Sequence, residues 1–137
     1  MFGDILLIGN ATVNFDGKNR IVIPSFTKVE TDDKLLIEKA ESEYGDYKLR
    51  IHSYQKYYEF IKKLIQKQDN CTTREEFIKL DIEIGNLCRV LEALVTVERQ
   101  RRITIPTGLF NELKWDKHET VNCKGCGSYL EISQLKR

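Results

Sequence analysis

One short motif occurs twice in this chain, and the repetition limits the possible folds more than any other feature. The pattern Arg-Ile-x-Ile-Pro stands at residues 20–24 and again at residues 102–106, 82 positions later. An acidic residue precedes the arginine by four positions both times, as Asp16 and as Glu98. Chance matches rarely keep one offset over so many positions. The chain is therefore predicted to contain two copies of one structural unit.

Each copy is too short to fold alone. A unit of about 40 to 45 residues lies near the size below which a hydrophobic core cannot offset the entropy of folding without other help. Two copies are also too few for a stacked repeat array. We therefore expect one pseudo-duplicated domain over residues 1–137, with a first repeat at 1–53, a helical segment at 54–93 and a second repeat at 94–137.

The composition favours a compact cytoplasmic protein. The chain has 137 residues, of which 41% are hydrophobic, and no apolar run approaches the ~20 residues of a membrane span. Four cysteines at irregular spacing do not suggest a disulfide framework, so reduced thiols are expected. The net charge of +1 argues against a broadly basic nucleic-acid-binding surface but allows a focused basic patch.

Both copies show the same order of predicted elements. Residues 11–15 and 20–23 alternate in a β-pattern around a turn with Gly17 and Asn19, which predicts a β-hairpin ending at Pro24. The other predicted elements of the first copy are a short helical turn and a strand pair, at residues 25–29, 34–38 and 48–52. The second copy repeats this order with strands at 94–97 and 102–105, a short helix at 107–113, and strands at 119–123 and 128–133.

A helical hairpin is predicted between the copies. Ser53 is a typical N-cap residue, and Thr73 with Glu76 matches a capping box. After each cap, apolar residues recur at helical spacing, which predicts two amphipathic helices. Core packing is the favoured use of the aromatic residues on the first helix, and a protein partner is the alternative. These residues are Tyr54, Tyr57, Tyr58 and Phe60.

The first motif resembles a known family signature. Residues 16–24, Asp-Gly-Lys-Asn-Arg-Ile-Val-Ile-Pro, are similar to the Asp-x-Lys-Gly-Arg-x-x-(Ile/Leu)-Pro signature of MraZ proteins, a branch of the AbrB-like swapped-hairpin family. The duplication, the helical hairpin and the chain length also resemble MraZ over essentially the whole chain. The chain departs from the signature where Asn19 and Arg101 replace the family's glycine and Glu98 replaces its aspartate.

This resemblance implies both a fold and a function. The implied fold is of the α+β class, with duplicated AbrB-like swapped-hairpin units in a pseudo-symmetric β-barrel-like core and a helical hairpin between them. The implied function is that of a nucleoid-associated transcription regulator, which binds short direct repeats in the promoter of the bacterial division and cell-wall gene cluster. A ring-like homo-oligomer, whose successive subunits present arginines on hairpin turns to double-stranded DNA, is implied as well.

The residues themselves also favour DNA binding at the two turns. The cations there are Lys18, Arg20, Arg99, Arg101 and Arg102. A guanidinium group can bind two acceptors on a guanine edge or on a phosphate, and a lysine suits phosphate contact. So few contacts predict weak binding by one subunit, which several subunits on repeated sites would strengthen.

A purely structural interpretation of these charges stays open. Asp16 with Arg20, and Glu98 with Arg102, have a spacing that allows ion pairs which only stabilise the turns. Arg99 and Arg101 are equally consistent with a solvated surface. An acidic residue that orients an arginine for DNA is compatible with both roles.

Cys123 and Cys126 form the remaining motif of interest. A zinc site normally needs a second pair of ligands, which the other cysteines and histidines do not supply at a recognisable spacing. A structural role near a turn is favoured, with a metal site across a subunit interface and redox chemistry as alternatives. His118 is interpreted as a solvent-facing loop residue.

Enzyme classes find little support. The chain has no glycine-rich phosphate loop, no His-Glu-x-x-His motif and no nucleophile with a readable base. We expect no catalysis, cofactor, metal or small-molecule substrate. The competing class is an oligomeric protein-interaction or antitoxin-like module of the AbrB superfamily without specific promoter binding. Salt dependence separates the two classes, because phosphate contacts weaken steeply with ionic strength.

Overall fold

Residues 5–135, which the computed structural model describes, form an α+β structure with eight strands and three α-helices. The strands are β1 (Asn10–Asn14), β2 (Arg20–Val22), β3 (Lys34–Glu41), β4 (Tyr47–Ser53), β5 (Leu91–Thr96), β6 (Arg102–Thr104), β7 (Thr120–Gly125) and β8 (Tyr129–Gln134). The helices are α1 (Tyr54–Asp69), α2 (Arg74–Arg89) and α3 (Thr107–Leu113), with short 3₁₀ helices at Ser25–Thr27 and Arg99–Arg101. The outer ends of the two predicted repeats, residues 1–4 and 136–137, lie outside the described residues.

The first strand of each copy pairs with a strand of the other copy. β1 pairs with β7, from Asn10 opposite Lys124 to Asn14 opposite Thr120, and β5 pairs with β3. The resulting six-stranded sheet has the order β1-β7-β8-β4-β3-β5, which only reverses when the two copies are exchanged. The predicted hairpins, in which the first two strands of a copy pair with each other, are wrong. Alternation in sequence shows that a strand is half-buried but does not identify its partner.

β2 and β6 form a separate two-stranded ladder. Ile21 lies opposite Ile103, and both belong to the same buried cluster as the inner side chains of the large sheet. Each strand of the ladder is short, because the prolines that follow, Pro24 and Pro106, have no N–H group to donate. In the described part of the chain the ladder does not join β1 to β5, so the sheet is open and the expected barrel-like closure is wrong.

The two helices between the copies begin at the predicted caps. The hydroxyl of Ser53 accepts the amide N–H of Lys56 at 3.3 Å, and the hydroxyl of Thr73 accepts that of Glu76 at 3.3 Å. These bonds satisfy amide groups that a helix start otherwise leaves unpaired. Among the described helices, none is both long and apolar enough to cross a membrane.

The helical hairpin leaves much apolar surface uncovered. Tyr58 and Phe60 on α1 are 50% and 49% exposed, so the expected core packing is wrong for these two aromatic residues. On α2, Phe77 and Ile82 are also exposed. Helices α1 and α2 pack mainly against each other and against strands β3, β4 and β5, which leaves these apolar side chains exposed among residues 5–135.

Candidate nucleic-acid interface

The first turn, residues 16–20, is organised by the carboxylate of Asp16. Its Oδ1 accepts the backbone N–H of Lys18 at 2.8 Å and that of Arg20 at 2.9 Å. Its Oδ2 accepts the Nε–H of Arg20 at 2.7 Å. Aspartate suits this position because its short side chain reaches the amide two residues further along the chain. The ion pair between Asp16 and Arg20 is therefore present.

These contacts change the acidity of Asp16. Desolvation raises the pKa, but the amides of Arg20 and Lys18 and the guanidinium of Arg20 outweigh it and lower the pKa from 3.8 to about 2. The carboxylate stays charged at neutral pH and holds Arg20 in one orientation. The side chain of Arg20 is still 33% exposed, and only its Nε is used within the described residues. Its two terminal nitrogens remain able to bind a ligand.

The second turn, residues 98–102, keeps the backbone arrangement but not the side-chain contacts. The amide of Glu98 donates to the carbonyl of Arg102 at 2.7 Å, as the equivalent pair does in the first turn at 3.0 Å. The carboxylate of Glu98 instead accepts the hydroxyl of Thr104 at 3.3 Å. Within the described residues Arg102 forms no ion pair, so the alternative in which Glu98 pairs with Arg102 finds no support in the second turn. Because glutamate has one more methylene group than aspartate, its carboxylate reaches the nearby backbone amides of the turn less readily.

Both turns contain residues in the left-handed backbone region. The angle φ is 60° at Asn19, 61° at Gln100 and 57° at Arg101. Such a conformation costs a residue with a side chain about 1–2 kcal/mol, and asparagine tolerates it best. Arg101 also donates its Nε–H to the carbonyl of Ile23 at 3.1 Å. This bond gives Arg101 a structural role beside its predicted role in DNA binding.

The ladder brings the two motif arginines to one face. Arg20 lies opposite Thr104, and Arg102 lies opposite Val22. Because side chains alternate along a strand and the intervening isoleucines are buried, these four residues point outward together. Strand spacing and rise place the Cα atoms of Arg20 and Arg102 roughly 8 Å apart.

The remaining predicted cations lie at the tips of the turns. Lys18 and Arg99 are exposed, and neither forms an ion pair with any residue between positions 5 and 135. We call the outer side of the ladder together with the two turns the basic face. Its predicted cations are Lys18, Arg20, Arg99, Arg101 and Arg102.

Sequence reasoning missed one neighbour of the first turn. Residues 114–119, which we call loop L2, connect α3 to β7 and lie beside Gly17. A Cβ atom on Gly17 would lie 3.4 Å from Cε of Lys117 and 3.5 Å from Cε1 of His118. His118 is exposed as expected, but it lies against the turn. The duplication contained a signal for this contact, because each copy has a loop at this place in its order of elements. Helix α3 is longer than the 3₁₀ helix Ser25–Thr27 of the first copy, however, so the offset of 82 residues between the two motifs does not align the two loops.

The two cysteines of the Cys-x-x-Cys motif lie in different environments. Cys123 is fully buried on β7, and burial raises the pKa of its thiol to about 12. Cys126 follows the strand, where its amide donates to the carbonyl of Tyr129 at 2.9 Å. A thiol that stays protonated is a poor metal ligand and a poor nucleophile, so the geometry favours a structural role. Residues 5–135 contain no cluster of three or more potential metal-ligating side chains.

A second charged cluster lies between the large sheet and the helices. Glu38 contacts Nε2 of His52 at 3.0 Å and Nη1 of Arg50 at 3.4 Å. The ring of His52 lies 5.2 Å from that of Tyr57, whose hydroxyl donates to the carbonyl of Leu87 at 2.6 Å. Burial, with a smaller effect of Glu38, raises the pKa of Tyr57. These contacts attach the helical hairpin to the sheet, which gives the cluster a structural role.

The basic face thus combines two turns, one ladder and several cations that have no ion-pair partner among residues 5–135. No model of a known protein family matches the chain, and no curated protein sequence matches it. Exposed guanidinium and ammonium groups in this arrangement can bind anionic oxygens, and a guanidinium on a rigid strand can also bind the edge of a base.

Proposed function

We propose that the protein is a sequence-specific transcription regulator of double-stranded DNA that resembles MraZ. In this proposal the basic face binds short direct repeats in the promoter of the division and cell-wall gene cluster. One observation carries the proposal: Arg20 and Arg102 point outward from the same face of one short ladder. Neither catalysis, a cofactor nor a small-molecule substrate is part of it.

The ladder supports this role because it fixes the strands that carry the two arginines. Ile21 and Ile103, directly behind the outer face, are 1% and 0% exposed, so the strands cannot rotate without opening the core. A bidentate contact from arginine to guanine requires such fixed orientation and supplies ~1–3 kcal/mol of discrimination. Lys18 and Arg99, at the exposed tips, suit phosphate contacts that position the protein without reading sequence.

The departures from the MraZ signature also support the proposal. Asn19 and Arg101 stand where the signature has glycine, and their φ angles are 60° and 57°. Glycine adopts such angles at the lowest cost. The turns therefore have the backbone shape that the signature's glycine favours, although the side chains differ. The exchange of first strands between the copies is the second feature that supports an AbrB-like swapped-hairpin fold.

We extend the proposal to a cytoplasmic, nucleoid-associated homo-oligomer, with a ring as its expected form. One chain offers few DNA contacts, and several chains on repeated sites would gain affinity through effective concentration. The edge strands β1 and β5 offer hydrogen-bonding groups to a second chain. Exposed apolar side chains such as Phe77 and Ile82 offer it apolar area.

The same apolar surface favours an alternative function. Tyr58, Phe60 and Ile82 would serve equally well to bind a different protein, as in an antitoxin-like or scaffold module of the AbrB superfamily. In this alternative the arginines of the turns only stabilise the fold, as Arg20 already does with Asp16. The turns then contribute nothing to DNA affinity.

Fluorescence anisotropy with promoter DNA of the host's own division and cell-wall cluster tests the proposal. Scrambled DNA serves as competitor, and the salt concentration is varied. We expect tight, salt-sensitive binding that survives the competitor and weakens in Arg20→Ala and Arg102→Ala. Arg74→Ala is the matched control, because Arg74 is exposed at the start of α2, away from the basic face.

The outcomes separate the two functions. Equal affinity for promoter and scrambled DNA contradicts specific regulation and favours the protein-interaction module. Loss of binding in Arg74→Ala as well would show that any lost cation has the same effect. Unchanged binding in both Arg20→Ala and Arg102→Ala would exclude the ladder as the reading element.

A further inference from the structure

Each turn is bordered by a loop from the other copy. L2 borders the first turn, where the amide of Phe15 donates to the carbonyl of Glu119 at 2.9 Å. Its counterpart in the first copy, residues 28–33, which we call L1, borders the second turn, where the amide of Val97 donates to the carbonyl of Asp33 at 2.8 Å. The two loops therefore occupy equivalent places beside the two turns.

The two loops carry different charges. L1 has one lysine and three carboxylates, which are Lys28, Glu30, Asp32 and Asp33. L2 has two lysines, one histidine and two carboxylates, which are Lys114, Lys117, His118, Asp116 and Glu119. When the loops are aligned on Asp33 and Glu119, Lys117 and His118 stand where L1 has Thr31 and Asp32. In L2 these two positions are the ones that lie against Gly17 of the first turn.

Lys117 and His118 lie beside the first turn, against Gly17. A Cβ atom on Gly17 would meet both, at 3.4 Å and 3.5 Å. Lys18 follows directly in sequence, is exposed and, like Lys117, forms no ion pair in the described chain. Unpaired cations that share a small surface repel one another, and a polyanion relieves this repulsion.

The neighbouring carboxylates are partly occupied. Asp16 is bound to Arg20, and Glu119 accepts the amide of Asp116 and the side-chain amide of Gln134, each at 3.0 Å. Asp116 is exposed, and its carboxylate is the one in L2 that remains to balance the charge of the two lysines. Beside the second turn, by contrast, L1 contributes carboxylates in excess.

We propose that Lys117 and His118 join Lys18 in binding the phosphates of DNA, so that the first turn contributes more affinity than the second. This inference rests on the proposed DNA-binding function. The carboxylates of L1 repel the phosphates that the arginines of the second turn attract. The two copies therefore share one backbone frame but differ in their contribution to binding.

Exchanging one residue between the loops tests this inference. Lys117→Thr gives L2 the residue of L1, Thr31→Lys is the reverse change, and the double variant restores the net charge. The probe is a short duplex of mixed sequence, bound by the full-length protein at several salt concentrations. We expect Lys117→Thr to weaken binding several-fold and to reduce the slope of log affinity against log salt by about 0.9 for each subunit engaged. Thr31→Lys should change much less, and the double variant should resemble Lys117→Thr.

Recovery of full affinity in the double variant would overturn the inference, since net charge alone would then decide binding. An unchanged slope in Lys117→Thr would overturn it as well, while leaving the proposed function intact. A wild-type protein that binds neither this duplex nor the promoter DNA would overturn both the inference and the proposed function. Circular dichroism and thermal melting verify that the variants fold, which we expect because Lys117 and Thr31 are exposed.

Discussion

The carboxylate of Asp16 binds two amides and a guanidinium in the first turn, whereas that of Glu98, its counterpart in the second turn, binds the hydroxyl of Thr104 and no other group among residues 5–135. The backbones of the two turns are nevertheless closed by the same amide-to-carbonyl bond. Arg20 is consequently held by its own turn, and Arg102 has no such partner within the described residues. A duplicated motif can therefore preserve backbone geometry while its side-chain contacts diverge.

The two turns differ in how freely their arginines can move and in the charge that surrounds them. A held arginine loses little conformational entropy when it binds a ligand, whereas a free one loses more. The second turn has more arginines, but one of them, Arg101, is bonded to the carbonyl of Ile23, and the adjacent L1 is acidic. By the number of cations alone the second turn would be the better anion-binding site. The contacts and charges around the two turns favour the first turn instead.

The largest expected effect tests whether the two motifs place their second isoleucine in the core in the same way. Ile23→Asp and Ile105→Asp each place a charge at a position that is 0% exposed, so we expect each to cost more than about 4 kcal/mol and to prevent folding. Val22→Asp, on the outer face of β2, is the matched control and should fold. Circular dichroism and thermal melting give the measurement. A folded Ile23→Asp protein would contradict the inward orientation of this residue.

A smaller effect separates the two acidic residues. Asp16→Asn should lower the free energy of unfolding by about 1 kcal/mol, because the exposed ion pair and its amide bonds weaken together. Glu98→Gln should change it by less than about 0.5 kcal/mol. Urea denaturation of both variants measures the contrast. Equal losses would show that Glu98 also holds its turn in solution.

Acid should remove the contribution of Asp16 to the free energy of unfolding. Its pKa falls from 3.8 to about 2 on folding, so its contribution to stability is complete above the ordinary value and is lost as pH decreases towards 2. The stability difference between wild type and Asp16→Asn should therefore narrow below pH 3.8. Urea titrations across this range test it. A difference that stays constant would mean that the carboxylate is not held in the folded state.

The smallest expected effect concerns the left-handed residues. Gln100→Gly should stabilise the protein by about 0.5 kcal/mol, because glycine removes the strain at φ 61° but adds freedom to the unfolded chain. Asn19→Gly should be nearly neutral, since asparagine already tolerates φ 60°. Thermal unfolding of the two variants compares them. A larger gain at Asn19 than at Gln100 would reverse this ranking of strain.

Local patterns predicted most elements of the fold. Helix α3 begins and ends at the predicted residues, because Pro106 stops the preceding strand and apolar spacing marks the helix. Ser53 and Thr73 likewise cap their helices as predicted. The predicted pairing of β3 with β4 is confirmed, but the partners of β1 and β5 could not be predicted, because pairing between distant strands depends on the whole core. The exposure of Tyr58 and Phe60 could not be predicted either, since an apolar stripe does not show what covers it.

The candidate site was predictable only in part. The contact of Asp16 with Arg20 follows from local spacing and the reach of aspartate, and the structure contains it. The divergence of Glu98 depends on one additional methylene, and the approach of Lys117 to Gly17 depends on how two distant segments fold together. Sequence spacing carries no direct information on such contacts.

β1 leaves the ribosome long before its partner β7, which lies near the other end of the chain. A nascent first half therefore carries an unpaired strand until β7 has been synthesised. Unpaired strands add readily to other chains, and pairing over long sequence distances is slow. A product truncated before β7 would consequently lack the partner of β1 and expose that strand to neighbouring chains, instead of forming an independent half of the protein.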